Sequence, residues 1–549
     1  MAKPDLLLYG GPIISLDPAV ATAPALAVRD DRILAIGDVA TVRAALRPGY
    51  ETIDLRGRTA LPGLCDAHIH LLWTAQVARQ VNLDGVASLE AALETVRLVA
   101  ATLPADAWVL GHGWDHSRWN NRWPTAAELD AVTGGRPAFL TRKDLHSAWV
   151  NHAALQRAGI SDTTSDPEGG TIGRDHTGAA SGLLFENAQK SIYAVLPQAS
   201  LAANERAIQG LIGQFQQSGI TSVHVPEGPD CLAAVQSLYG RGELGVRVLH
   251  HLRMSGLDAA LETGVRSGLG DLWVRIGGLK IFSDGSLGSH TAHMLKPFRH
   301  LPADATHPCG LPMMAPEELQ TLVARAIGAG ISVTVHAIGD AANRGVLDAI
   351  EAAMRQHPEP LPTTTPPLPG RGLPHLALIP NRIEHAQILH PADLGRFARL
   401  GVVASIQPIH ATSDIDIAND LLGGRCATAY AWRALLTSGA ILACGSDAPV
   451  ESWSPWAGIQ AAVTRQRPDG YPEGGWNPQE RLTLEEALWG YTVGPALASG
   501  ELAGKGTLSV GKLADIIVLD RDLSATNPAD LHHVGTDITL LNGQVVWER

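Results

Sequence analysis

Cysteine is scarce in this chain. Five thiols, Cys65, Cys231, Cys309, Cys426 and Cys444, are scattered through 549 residues, odd in number and never in a CxxC pair. That excludes a disulfide framework and fits a reduced, cytoplasmic setting. Long apolar runs are missing too. No stretch reaches the roughly 18 uninterrupted apolar residues of a membrane-spanning helix. The opening MAKPDLLLYGGPIISLD lacks the basic start, long apolar stretch and small-residue cleavage site of a signal peptide. Positive charge is in deficit: 42 Lys and Arg against 55 Asp and Glu give a net −13. Such a balance weighs against nucleic acid or an anionic membrane surface as the main partner, while leaving room for a small anionic ligand in a local pocket. GGPIISLD and GGTIGRD lack the context of a phosphate-binding glycine loop, and no HExxH helix points to a thermolysin-like protease.

What is present is globular: 45% of residues are hydrophobic and 18% charged. The length suits one large catalytic domain with a smaller companion. Both ends read as short strands and turns, LLLYGGPIISLD, ALAVRDDRILAIGD and ETIDLRGRTAL at the start, GTLSVGKLADIIVLDRD and DITLLNGQVVW at the finish. Asn542-Gly543 is a hairpin signal. Neither end holds enough strands alone, so residues 1–58 and 505–549 are expected to build one small β-sandwich, with residues 59–504 inserted between them.

That central part has a strand–helix rhythm. Eight candidate strands, TALPGLCDAHIH, ITSVHV, VRVLHHL, VRIGGLKIF, ISVTVHAI, NRIEHAQ, VVASIQP and AILACGSDA, are mostly separated by helical patterns such as PEELQTLVARAIGAG and ANRGVLDAIEAAMRQ. Parallel strands alternating with helices imply an α/β fold, the (β/α)8 or TIM barrel, whose active site gathers at the C-terminal ends of the strands. About residues 72–200 interrupt this rhythm after the first strand. They carry the helix SLEAALETVRLVAATL, possible strands WVLGHGW and AFLTRKDL, and many tryptophans, and are expected to form a subdomain over the barrel mouth. The proline-rich HPEPLPTTTPPLPGRGLPH at 357–375 is expected to be an exposed loop.

Chemistry-bearing residues sit where the barrel would collect them. The first strand ends in His68 and His70, which strand alternation would turn to one face. The fourth carries Lys280, the fifth His336, the sixth His385 and the eighth Asp447. One histidine at a strand end is ordinary; five such ends together point to metal. Four histidines, one aspartate and a bridging group suit two ions about 3.5–4 Å apart. An ammonium cannot ligate, but a deprotonated Lys280 amine that takes up carbon dioxide becomes a bridging carbamate. Glu384 and Asp340 are candidates for orienting the imidazoles, and Asp284 for bracing the loop after Lys280. Cys444, out of phase with Asp447 on an alternating strand, reads as packing. Trp119 and Trp123 read as core before pocket wall.

LPGLCDAHIH, GLKIFSDGSLGSHTA, VTVHAIGD, RIEHAQ, SIQPIHATSD and GSDAPVESWSPWAGIQAAVTRQ, in this order, resemble the amidohydrolase superfamily, in the branch that includes N-substituted formamide deformylases. The resemblance covers nearly the whole chain. It implies that His68, His70 and Asp447 serve one metal, that His336 and His385 serve the other, and that a carboxylated Lys280 bridges them. Zinc is the first expectation, with manganese or iron also compatible with these ligands. It also implies a homodimer. Asp447 is then placed to shuttle a proton to the leaving nitrogen, and His410 to contact the carbonyl or its oxyanion. Trp114, Asp144 and His146 in the insertion become pocket candidates. His290 stands where arginine is more usual in this superfamily, so it marks substrate recognition. The expected reaction is hydrolysis of an amide, formamide, carbamate or urea-type C–N bond in a small molecule. Ester or lactone hydrolysis at the same centre is the competing enzyme reading, and a non-catalytic metal-binding scaffold the competing non-enzyme one. Lys280 argues against a one-metal deaminase.

Overall fold

The computed structural model describes residues 3–143, 147–167, 169–300, 307–358 and 379–549. Asp144, His146 and most of the proline-rich stretch lie outside them. The chain divides into two compact units, one of residues 1–72 with 208–549 and the other of residues 73–207.

The first unit is built on eight parallel strands that pair in sequence order: β1 (Leu64–Asp66), β2 (Ile220–Val225), β3 (Arg247–Arg253), β4 (Val274–Phe282), β5 (Val333–Ala337), β6 (Arg382–His385), β7 (Val403–Ile406) and β8 (Leu442–Cys444). All eight expected strands are present. They are buried almost throughout, as parallel strands covered on both faces must be. β8 and β1 share no ladder; Ala67 N donates to Cys444 O at 2.9 Å across the seam, so the barrel is nearly closed. The helices that follow the strands are set by local chemistry. Pro229–Gly240, Pro316–Gly328 and Pro455–Thr464 each start on a proline, whose fixed φ and missing N–H suit a first turn. In Asp340–Gln356 the residues facing the barrel are Val346, Leu347, Ile350 and Ala353, a stripe at helical spacing.

Both ends of the chain meet in one hydrogen-bonded sheet. Its strands run in the order Gln544–Glu548, Thr536–Leu541, Ile516–Leu519, Ala60–Pro62, Leu6–Ile14, Thr22–Arg29, Arg32–Gly37, with Glu51–Asp54 also on Leu6–Ile14. Asn542 and Gly543, at φ 56° and 70°, make the two-residue turn between the last two strands. Ala60–Pro62 runs on through Gly63 into β1. A side chain at Gly63 would meet Thr221 Oγ1 at 2.3 Å, so glycine is required where the sheet hands the chain to the barrel.

A buried ion pair ties the carboxy-terminal segment to the barrel. Arg247, the first residue of β3, bonds Asp515 through Nε (2.7 Å) and Nη2 (3.0 Å) and stacks on Trp273 at 4.5 Å. Removing one partner of such a pair strands the other charge and costs about 3–5 kcal/mol. Arg247→Met should therefore lower the melting temperature clearly, and adding Asp515→Leu should restore most of the loss. A single variant that melts with wild type would show the pair to be dispensable.

The second unit holds a six-stranded sheet in the order Gly170–Arg174, Ala180–Glu186, Ser147–Val150, Ala138–Arg142, Val109–Trp114, Val81–Asn82, parallel at the last two pairings and antiparallel elsewhere. Helices Leu89–Thr102 and Ala126–Thr133 pack together, the second opened by a Thr125–Glu128 capping box. Among the described residues no helix is long and apolar enough to cross a membrane.

Candidate active site

The loop after β1 is held in place by backbone. Asp66, the last residue of β1, accepts from His68 N and Ser446 N, both at 3.0 Å, so one carboxylate joins the loops after β1 and β8. Asp447 N donates to His68 O at 2.7 Å and His70 N to Ala448 O at 3.0 Å. The two loops can approach this closely because residue 445 is glycine: a Cβ there would stand 2.4 Å from His68 N. His68 and His70 are thus brought together by a clamped loop past the strand end, and the alternation expected of them does not apply. Asp447 and His385 both sit at left-handed φ, 59° and 74°. Non-glycine residues rarely adopt that conformation, and it concentrates at functional sites.

Side chains converge on Asp447. His68 Nε2 and His70 Nε2 lie 3.2 and 3.3 Å from its Oδ1, and His410 Nε2 lies 3.9 Å from its Oδ2. His68, His70 and Asp447 form one triad with ligand atoms within 4.8 Å of one another; His385, His410 and Asp447 form a second. The His336 ring is 4.5 Å from that of His385 and 5.5 Å from that of Phe282. Lys280 Nζ stands 4.9 Å from the Phe282 ring centroid.

The partners of the imidazoles decide which nitrogen is available. His336 Nε2 donates to Gly285 O at 2.9 Å, leaving Nδ1 as a lone pair. His385 Nδ1 donates to Gln407 Oε1 at 2.8 Å, leaving Nε2. His68 Nδ1 bonds the Glu384 carboxylate, leaving the Nε2 that faces Asp447. Carboxylate, carbonyl and amide partners of this kind are what fix a ligating imidazole. Glu384 fills that role as expected. Asp340 is instead engaged at its helix start, where it accepts from Leu295 N at 2.8 Å. Asp284 braces as expected, accepting from His293, Ile338 and Gly339 N–H groups at 2.8, 3.0 and 2.8 Å.

Electrostatics suit the same use. Burial presses the Lys280 ammonium down from 10.5 to about 8, against the pull of Glu384 and Asp447. Burial and the Lys280 charge bring His336 down from 6.5 to about 4, and burial and His336 hold His385 well below its ordinary value. Both rings are therefore neutral at pH 7, the form that binds metal. Burial alone would raise Asp447, but His68 and His70 outweigh it and keep the carboxylate well below the usual range.

The remaining candidates belong to neither triad. His290 is exposed at φ 58° with its ring 6.0 Å from Phe298, and belongs to neither triad. Trp114 is fully buried in the second unit, its indole N–H bonded to Leu140 O at 2.8 Å, with Trp119 stacked at 6.1 Å; that is a packing role. Trp119 is core too, whereas Trp123 is exposed. Cys444 is buried as expected, and burial pushes its thiol well up, which makes it inert. Sequence reasoning missed Gln407, the Gly285 carbonyl and Arg382. Only Arg382 left a signal, since strand alternation puts it on the same face as Glu384.

A sequence profile of the amidohydrolase family matches residues 51–547. The chain belongs to the amidohydrolase family. It is 32% identical over 529 residues to Protein LONG AFTER FAR-RED 3 of Arabidopsis thaliana, covering 94% of this chain and 87% of that one. It is 28% identical over 566 residues to N-substituted formamide deformylase of Arthrobacter pascens, covering 99% and 98%. A crystal structure described as an uncharacterized metal-dependent hydrolase from Pyrococcus furiosus superposes with a TM-score of 0.76 at 29% identity, covering 96% of this chain and all of that one. The family match and this structural likeness support a hydrolase.

Proposed function

We propose that this amidohydrolase cleaves a C–N bond of a small amide-type molecule, with two divalent ions, zinc in the first place, held by His68, His70 and Asp447 and by His336 and His385, and bridged by a carboxylated Lys280. The observation that carries this is the pair of imidazole lone pairs left by Glu384 and Gln407 in two triads that share Asp447, with the His336 ring, fixed by Gly285, 4.5 Å from that of His385. Nitrogen and oxygen donors of this kind fit a borderline ion. Such ions, when bound, acidify a water and polarise the scissile carbonyl.

The chain's own residues supply the rest. A buried amine depressed to about 8 is partly unprotonated near neutrality. The ammonium gives up one proton to become that amine, and the amine gives up a second on forming a C–N bond to carbon dioxide, so that a buried cation becomes an anion. Asp447 presents Oδ1 to His68 and His70 and Oδ2 toward His410. That carboxylate takes the proton from the attacking water and gives it to the departing nitrogen, which leaves poorly as an anion. His410 Nε2 is buried and, among the described residues, has no hydrogen-bond partner. A substrate oxyanion would satisfy it. Phe282, 43% exposed beside Lys280 and His336, offers an apolar wall and favours an alkyl or aryl substituent over a sugar or peptide.

The test is elemental analysis of protein purified without added metal, followed by amine release from N-alkyl and N-aryl formamides, N-acyl amines, carbamates and ureas. About two ions per chain are expected, with amine release that chelation abolishes and metal restores. Metal-dependent cleavage of matching esters but of no C–N substrate would overturn the bond assignment.

A further inference from the structure

One layer deeper in the barrel than His385 lies a chain of polar contacts that the reaction does not use directly. Arg382 and Glu384 on β6 and His224 on β2 are all fully buried. Arg382 Nε is 2.6 Å from Glu384 Oε1, and Glu384 Oε2 bonds His68 Nδ1. Arg382 Nη2 donates to Ala67 O at 3.1 Å, and Arg382 Nη1 lies 2.9 Å from His224 Nδ1. His224 O in turn accepts from Ile69 N at 3.0 Å. Three consecutive residues, Ala67, His68 and Ile69, are therefore each gripped by this group.

We infer that His224 is a positioning residue for the metal ligand His68, acting through Arg382 and Glu384; this rests on reading His68 as a ligand. A guanidinium only donates, so His224 Nδ1 must accept and the ring must be neutral with its proton on Nε2. In that form His224 fixes the rotation of the guanidinium. The guanidinium then holds Glu384 at one end and the Ala67 carbonyl at the other. Glu384 can meet His68 from one direction only, and Nε2 of His68 is aimed at Asp447. Without the acceptor at His224, Arg382 keeps its charge and its Ala67 and Glu384 contacts but loses one of its three anchors, and Glu384 meets His68 less strictly from one direction. A histidine that merely filled the core would have no such dependence on which ring nitrogen accepts.

That dependence is what separates the two cases. An asparagine oxygen stands where Nδ1 of histidine stood, and a glutamine oxygen where Nε2 stood. His224→Asn thus keeps the acceptor facing Arg382, while His224→Gln, closer in volume, removes it. Metal-free full-length protein is titrated with Co(II), read by its visible absorption bands, and melted in parallel. His224→Gln is expected to bind the first Co(II) about tenfold more weakly with shifted bands, and His224→Asn within about twofold of wild type. The two variants should melt together. Arg382→Lys, which keeps the charge but cannot reach His224 and Ala67 O at once, should shift the bands as His224→Gln does. Equal cobalt binding by both His224 variants, whether intact or weakened, overturns the inference and leaves His224 as packing. A wild type that takes up no Co(II) overturns the ligand reading of His68 and the inference with it.

Discussion

Alanine at position 280 should leave one ion of two and almost no turnover. Lys280 is 3% exposed, projects from β4 toward Asp447 and Glu384, and is already pressed down to about 8 by burial. A lysine kept as an ammonium would repel two divalent cations at that place; a carbamate would attract both. Losing the bridge removes a Lewis acid worth several kcal/mol of transition-state charge, so kcat should fall on the order of 10³-fold. Metal content per chain, measured on the same samples, should drop from about two to about one. Apo-protein reconstituted in bicarbonate-free buffer should regain activity slowly, and bicarbonate should speed the recovery in wild type alone. Full metal content and wild-type turnover in Lys280→Ala would make the lysine structural and the mechanism mononuclear.

Asparagine at position 447 should separate chemistry from architecture. The side chain keeps its size and one oxygen for the metal but cannot carry a proton. Its left-handed φ of 59° is one that asparagine also tolerates, so the loop after β8 should hold. Loss of the proton shuttle alone is worth about 10²–10⁴ in kcat. KM should change little, because the carbonyl oxygen is met by other groups. Near-wild-type kcat with metal bound would remove Asp447 from proton transfer and leave it a ligand only.

The barrel was legible because its strands are covered on both sides. Runs such as VVASI and AILAC are almost wholly apolar, and chemistry-bearing residues follow at strand ends. The site was legible for the same reason, though not by the alternation argument. His68 and His70 lie beyond the last paired residue of β1, and their convergence comes from Asp66 and Gly445 gripping two loops that are distant in sequence. Asp340 shows the opposite failure. Closeness in sequence to His336 suggested an orienting role, but the helix start took the carboxylate for Leu295 N. Gln407 and the Gly285 carbonyl reach their imidazoles across strand boundaries, and nothing local in the sequence marks such partners.

The sheet that joins both ends of the chain also bears on how the protein is made. Ala60–Pro62 leads straight into β1, yet one of its two neighbours, Ile516–Leu519, is synthesised long after every barrel strand. On the ribosome that edge stays open while the whole barrel emerges, with Ala60, Leu61 and Pro62 unpaired on that side and an exposed edge able to recruit another chain. A nascent chain stalled between residues 447 and 516 carries every proposed metal ligand and an unfinished sheet. The proposed ligands and the strands that close this sheet are therefore synthesised at different moments, and the closing strands come last.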